Sequence, residues 1–141
     1  MSAKLLYRIA SVLFIIFALS HTFGVLSQKA PSAPAAAVRA AMDHVRWRFM
    51  GSEISYGGMY IGFGLFVTAA LLLAALFAWH LGSLSATHPQ AIGLMGWSLF
   101  AFSLACLILG WIYFFAGPIV VSALLALSLG GAAITGHSTR T

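Results

Sequence analysis

Side chains with catalytic potential cluster near residues 53–60. Glu53, Tyr56 and Tyr60 follow one another at i, i+3 and i+7, so a helix through them would place all three on one face. A carboxylate close to an apolar span is costly unless it is paired or functional. We therefore take Glu53 as a candidate general acid or base, with the two tyrosines holding or polarising a substrate oxygen. The alternative is that Glu53 only favours the positive end of the following helix.

His21 and Asp43 complete the predicted catalytic set. His21 stands near the end of an apolar stretch, and imidazole acts as acid, base or metal ligand near neutral pH. Asp43 is the only other acidic residue of the chain and would serve as a partner for His21. Two structural alternatives stay open. His21 would bond a backbone carbonyl, and Asp43 would pair with Arg39 or Arg46 at helical spacing.

The sequence contains none of the metal-binding or cofactor-binding motifs considered below. His21, Asp43, His44 and Glu53 are ligands by type, but no two histidines have the spacing of HExxH or HxxxH. No CxxCH haem motif and no phosphate-binding loop with its lysine is present. We therefore predict no metal and no cofactor, and keep a haem or metal protein as a less favoured alternative.

The elements that position these residues follow from composition. The chain is 62% hydrophobic and 6% charged, whereas soluble domains carry about 25% charged residues. No Asp, Glu, Lys or Arg occurs from Ile54 to Thr139. The formal charge of +5 comes from residues at the ends of apolar stretches rather than from a dense basic run, so we expect a lipid bilayer and no nucleic acid as partner.

The apolar stretches predict an all-α, integral membrane fold. We expect an antiparallel bundle of four transmembrane helices within a single membrane domain, with an amphipathic interfacial helix between spans 1 and 2. The predicted spans cover residues 9–26, 54–81, 91–115 and 118–136, and the interfacial helix covers 38–50. Its apolar face would consist of Val38, Met42, Val45 and Phe49. The first stretch is interpreted as a span rather than a signal peptide because its apolar core is long for such a peptide.

Small residues at helical spacing predict where the helices pack closely. Three such stripes occur on the second, third and fourth spans: Gly58 and Gly62; Ala101 and Ala105; and Ser122, Ala126 and Gly130. The same stripes would also allow two copies of the chain to associate, so a homo-oligomer stays possible.

The numbers of lysine and arginine residues on the two sides of the membrane are almost equal, with Lys4, Arg8 and Arg140 on one side. The residues nearest the first span favour an N-terminus inside, in a bacterial inner membrane.

An up-and-down bundle would bring all of the candidate residues to one membrane side. That side collects the catalytic candidates Glu53, His21 and Asp43, and the substrate-binding candidates Tyr56, Tyr60, Trp111, Tyr113 and His44. All four spans contribute to it. We therefore expect a pocket on the side of the first loop, covered by the interfacial helix.

Several of these motifs resemble an uncharacterised set of short bacterial four-helix membrane proteins. The similarity lies in His21-Thr22-Phe23-Gly24, Phe49-Met50-Gly51, Ser55-Tyr56, the run from Tyr60 to Leu65, and Trp111-Ile112-Tyr113-Phe114-Phe115 before Pro118. In that set an aromatic residue and an Asp stand before the second tyrosine, where this chain has Gly57-Gly58-Met59. The resemblance implies the four-helix fold and the grouping of these residues, and it implies no activity.

Two classes of function fit these observations. The first is a membrane-embedded enzyme or binding protein for a lipophilic small molecule, with isomerisation, cyclisation or hydration as cofactor-free reactions that suit an acid and a base. The second is an accessory or assembly subunit whose small-residue stripes face a partner protein. A transporter is less favoured because one chain offers four spans and no deeply placed charge. The sequence names no substrate.

Overall fold

The described residues form five helices and one short hairpin. The computed structural model describes residues 1–88 and 92–138 of the chain, with side chains up to residue 136. The elements are α1 (Ala3–Ser27), α2 (Ala33–His44), β1 (Arg46–Phe49), β2 (Ser52–Ser55), α3 (Tyr56–Thr87), α4 (Gly93–Tyr113) and α5 (Ala116–Ser138). By length and composition, α1, α3, α4 and α5 are able to cross a membrane. The predicted all-α membrane fold, with a short helix between spans 1 and 2, is confirmed.

The observed helices are mostly longer than the predicted spans. The first and last spans extend outward to residues 3 and 138, and α3 continues to Thr87, beyond its predicted end at residue 81. Pro118 lies in the first turn of α5, where its missing N–H costs no hydrogen bond. Ala91, the predicted first residue of the third span, and Arg140 lie outside the described residues.

One compact unit consists of residues 1–17 together with the chain from residue 71 onward, and we call it the four-helix unit. In it, Ser11 Oγ of α1 donates a 2.8 Å hydrogen bond to the carbonyl oxygen of Ala75 on α3. Nearer the start of α1, Gly82 of α3 approaches the backbone of Lys4. Since a later residue of α1 meets an earlier residue of α3, the two helices run antiparallel, as predicted.

The same unit shows which small-residue stripes pack inward. Ser122, Ala126 and Gly130 of α5 are all buried, and a Cβ at Gly130 would lie 3.0 Å from the ring of Phe100. The predicted stripe of α4 is wrong, because Ala101 and Ala105 are exposed. The buried face of α4 carries Gly96, Leu99, Ser103 and Gly110 instead. Spacing alone does not reveal the inward face in lipid, because apolar side chains face outward at little cost there.

The second compact unit, Ala18–Ala70, holds the end of α1, α2, the hairpin and the start of α3. We call it the loop unit. The Oγ of Ser32 accepts a 3.3 Å hydrogen bond from the backbone N–H of Ala35 and so caps α2. The helix ends at His44, where Val45 turns to extended backbone. The prediction of a helix over residues 38–50 is therefore right up to His44 and wrong beyond it.

A β-hairpin replaces the predicted last turns of that helix. Strands β1 and β2 pair antiparallel, with Trp47 opposite Ile54 and Arg48 opposite Glu53. Met50 and Gly51 connect them with φ angles of 50° and 86°. A two-residue hairpin loop needs positive φ at both positions, which glycine adopts without strain. Val45 and Phe49 are therefore not part of the predicted apolar face, because Val45 caps α2 in extended backbone and Phe49 belongs to β1.

The close approach of α1 and α3 in the loop unit occurs at a glycine that the sequence pattern did not select. A Cβ at Gly64 would lie 2.7 Å from Val25 Cγ1 of α1, whereas a Cβ at Gly62 would meet no atom within 4 Å. At Gly58 it would meet only the hydroxyl of Ser55, at 3.3 Å. The predicted packing groove of Gly58 and Gly62 is therefore wrong, because the helix presents Gly64 to its neighbour.

Candidate functional site

A cleft of about 250 Å³ lies in the loop unit, on the side of the first loop. Three segments form its walls: the chain that leaves α1, one face of α2, and the second turn of α3. The lining residues are Gln28, Lys29, Ala30, Pro31, Ala35, Val38, Arg39, Met42 and Tyr60. The cleft thus combines aliphatic side chains with two cationic groups, a phenol and an amide.

Helix α2 supplies one wall of the cleft through a single face of the helix. Ala35, Val38, Arg39 and Met42 stand at i, i+3, i+4 and i+7, so they share one face. Ala35, Arg39 and Met42 are half-buried, while the helix has no fully buried residue. The prediction that Val38 and Met42 share an apolar face is confirmed.

Tyr60 connects the polar groups of the cleft. Its hydroxyl donates a 3.1 Å hydrogen bond to Gln28 Oε1, in the segment that follows α1. The guanidinium carbon of Arg39 lies 5.4 Å from the centroid of the Tyr60 ring, within the range of a cation–π interaction. Tyr60 was a predicted substrate-binding residue, and the structure places it in the wall of the cleft.

Asp43 lies just behind that wall and orients Arg39. Its Oδ2 is 3.5 Å from Nε of Arg39, so the ion pair predicted at helical spacing is confirmed. Asp43 also packs against the first turn of α3, because a Cβ added to Gly57 would overlap its Oδ1. The positive end of α3 favours a carboxylate at this point. Arg46 belongs to β1, outside α2, and lies opposite Ser55.

Glu53 lies on the hairpin, not on α3. It is an exposed residue of β2 opposite Arg48, and α3 begins three residues later, at Tyr56. The predicted shared helical face of Glu53, Tyr56 and Tyr60 is therefore wrong as far as Glu53 is concerned. Glu53 is absent from the residues that line the described cleft.

His21 joins α1 to α3 within the loop unit. Its Nε2–H donates a 3.0 Å hydrogen bond to the carbonyl oxygen of Gly64, the kind of partner that the structural alternative predicted. One residue further, the hydroxyls of Thr22 and Thr68 lie 2.8 Å apart. Thr68 Oγ1 also donates to Gly64 O at 3.2 Å. Since His21 does not line the described cleft, its observed role is to connect two helices.

Two further substrate-binding candidates lie in the loop unit but outside the lining of the described cleft. Tyr56 packs on Trp47, with ring centroids 4.4 Å apart at 41°. This contact attaches β1 to the first turn of α3. His44 is the exposed last residue of α2. Both residues therefore lie near α2 and the hairpin without reaching the cleft wall.

Trp111 and Tyr113 belong to the four-helix unit. Both are exposed residues in the last turn of α4, which ends at Tyr113. Exposed aromatic side chains at the end of a membrane span are typical of the headgroup region. The structure places these two residues at that helix end and brings neither into the described cleft.

Ligands for a metal ion do not gather within the described part of the chain. Among residues 1–88 and 92–136, no three His, Cys, Asp or Glu side chains come close enough to hold one. The functional groups that sequence reasoning missed are Lys29, Arg39 and Gln28 as cleft residues. The amphipathic pattern of residues 35–42 was the signal for Arg39. Gln28 and Lys29 were hidden because they lie in an irregular segment.

Comparison with known proteins returns no relative of this chain. No protein-family model matches it, and no curated protein or solved structure does. The resemblance to uncharacterised four-helix membrane proteins stays a prediction. The chemistry of the cleft is therefore the basis on which a function can be assigned.

Proposed function

We propose that this protein binds a lipophilic small molecule in the loop-unit cleft, at the membrane surface. The observation that supports the proposal is the cleft itself, with Val38 and Met42 beside Arg39 and Tyr60 in its walls. Sites for small ligands are concave and mostly apolar, with a few polar groups that orient the molecule. The segment from Gln28 to Pro31 directly follows the apolar helix α1, so a lipophilic molecule would reach the cleft from the bilayer.

Binding is better supported than acid–base catalysis. Isomerisation, cyclisation or hydration needs a proton donor or acceptor within hydrogen-bond reach of the ligand. The predicted acid–base residues Glu53 and His21 are absent from the described lining, and Asp43 is paired with Arg39. The proton-bearing groups that remain in the wall are Lys29 and Tyr60, whose hydroxyl donates to Gln28. We therefore assign the cleft a binding role. A bacterial inner membrane with the N-terminus inside stays part of the proposal, on the basis of Lys4 and Arg8 ahead of the first span.

Native mass spectrometry of the protein from gently solubilised membranes tests the proposal. A discrete adduct that is not bulk lipid is the expected result, and its mass would identify the ligand class. The variant Ala35→Trp, which fills the cleft, should abolish the adduct. Ala40→Trp places the same side chain at an exposed position of α2 outside the lining, and should retain it.

The same experiment distinguishes the alternatives. An adduct that persists in Ala35→Trp would show that the ligand site lies elsewhere, and would contradict the proposal. A second polypeptide in stoichiometric amount, without a small-molecule adduct, would favour an accessory subunit instead.

A further inference from the structure

Two cationic side chains and no acidic side chain are among the described residues that line the cleft. Lys29 and Arg39 are the ionisable cations among the described lining residues, and no Asp or Glu is among them. The nearby acid, Asp43, does not line the described cleft; it pairs with Nε of Arg39 and packs against the first turn of α3. An occupant of the cleft therefore meets cationic donors in the described wall, and Asp43 contacts only Nε of one of them.

The contact that holds Arg39 leaves its terminal N–H donors to a ligand. A guanidinium has five N–H groups, and the contact with Asp43 is made through Nε. The Tyr60 ring, 5.4 Å from the guanidinium carbon, supports the same group from α3. The two terminal amino groups then present a fork, which matches the paired oxygens of a carboxylate or phosphate.

The remaining wall is aliphatic and lies along one side of α2. Ala35, Val38 and Met42 share a face with Arg39, so apolar and cationic surfaces adjoin within the cleft. A purely hydrocarbon ligand would make no use of Lys29 or of the terminal amino groups of Arg39. A small polar anion would leave the aliphatic wall wet. A molecule with both parts satisfies both surfaces.

We infer that the ligand is an amphiphile with an anionic head, either a carboxylate or a phosphate monoester, on an apolar chain. Arg39 and Lys29 would bind the head, and Val38 and Met42 would contact the first part of the chain. This inference rests on the proposed function, because it assumes that the cleft is the ligand site. It adds the charge of the ligand, which can be tested separately.

The test compares head groups on one chain. The protein is placed in nanodiscs of zwitterionic lipid, and its affinity is measured for dodecanoate, dodecyl phosphate, dodecanol and dodecyltrimethylammonium. We expect at least one anionic compound to bind about tenfold or more tightly than the alcohol, and the cationic compound to bind most weakly. The stronger of the two anions identifies the head group. Equal affinity for all four compounds would overturn the inference.

Two charge-removing variants show whether the cleft cations cause the preference. Lys29→Gln and Arg39→Gln should each weaken binding of the favoured anion roughly fivefold or more, with little change for dodecanol. Arg39→Gln also removes the ion pair with Asp43 and could change the local packing. Lys29 is exposed, so Lys29→Gln tests the loss of charge without that effect. Arg46→Gln is the control, since it removes one positive charge from an exposed residue of β1 outside the lining.

The outcomes separate the inference from the proposed function. An equal loss in Arg46→Gln would indicate general attraction to a basic surface and would overturn the inference. If Ala35→Trp abolishes binding of all four compounds while the head groups bind equally, the cleft is the site but its ligand need not be anionic. If Ala35→Trp changes nothing, the proposed function itself fails.

Discussion

The side chain of His21 donates a 3.0 Å hydrogen bond to the carbonyl oxygen of Gly64, which joins α1 to α3 at their closest approach in the loop unit. The next turn of α3 adds the contact between Thr22 and Thr68, whose hydroxyls lie 2.8 Å apart. Hydrogen bonds between helices are favourable in lipid because no water competes for the polar groups. This polar contact joins the end of α1 to α3 within the loop unit, and none of its residues lines the described cleft.

Replacing Gly64 by alanine should destabilise the protein. The new Cβ would lie 2.7 and 2.8 Å from the two γ-carbons of Val25, so the Val25 side chain or the helix backbones must shift, at about 1–3 kcal/mol as for other overpacked sites. The measurement is the thermal unfolding midpoint in detergent. Gly62→Ala is the matched control, two residues away with no atom within 4 Å of the new Cβ. Equal midpoints for the two variants would contradict the close packing at Gly64.

Replacing His21 by alanine should lower stability without changing ligand affinity. The lost hydrogen bond to Gly64 is worth about 0.5–1.5 kcal/mol, and the carbonyl keeps its bond from Thr68. His21 lies outside the described lining of the cleft, so binding should stay within about twofold of wild type. Chemical denaturation and ligand titration measure the two quantities. A large loss of affinity with unchanged stability would restore His21 as a functional residue.

Tyrosine-to-phenylalanine substitutions should have opposite effects at two positions. Tyr7 is fully buried in the four-helix unit, and its hydroxyl has no hydrogen-bond partner among the described residues. Tyr7→Phe removes an unsatisfied polar group and should raise the free energy of unfolding, by up to about 1–3 kcal/mol. Tyr60→Phe loses the hydrogen bond to Gln28 and should lower it by about 0.5–1.5 kcal/mol. A destabilised Tyr7→Phe would reveal a partner for this hydroxyl.

The substitution Glu53→Gln should leave both folding and binding nearly unchanged. Glu53 is an exposed strand residue outside the described lining, and changes at such positions cost less than about 0.5 kcal/mol. The affinity for the favoured amphiphile should stay within about twofold. Titration of wild type and variant under one condition measures it. Loss of ligand turnover or binding in a folded Glu53→Gln protein would support the acid–base hypothesis instead.

Replacing Asp43 by asparagine should strengthen binding of an anionic ligand while weakening the fold. Asp43 neutralises part of the charge of Arg39 across 3.5 Å, so its removal should tighten anion binding by about threefold. The pair is partly exposed and should cost about 0.2–1 kcal/mol when it is lost. Glu53→Gln is the control, because it removes the same charge away from the cleft. Weaker anion binding in Asp43→Asn would contradict this prediction. It would indicate that Asp43 mainly orients Arg39 toward the ligand, rather than competing with the ligand for Arg39.

Some of the site could be predicted from local patterns. The spacing of Val38 and Met42 identified one face of α2, and the spacing of Arg39 and Asp43 identified their ion pair. Tyr60 was selected for its hydroxyl and does line the cleft. The prediction failed for Glu53, because helical spacing places it on one face with Tyr56 and Tyr60 only if the helix includes it. The helix begins at Tyr56, after Glu53. The alternation of polar and apolar residues in Arg46-Trp47-Arg48-Phe49, followed by Met50-Gly51, was the signal for the hairpin.

What the sequence determined by itself was the membrane fold, through the long uncharged stretch from Ile54 to Thr139. A helix in lipid satisfies its own backbone hydrogen bonds, so composition and length suffice to identify it. Composition does not determine the rotation of each helix about its own axis, because lipid accepts apolar side chains on every face. Only the contacts between helices therefore decided that Gly64 rather than Gly62 meets α1. Only the hairpin and the path after α1 decided that Lys29, Arg39 and Tyr60 share one cleft.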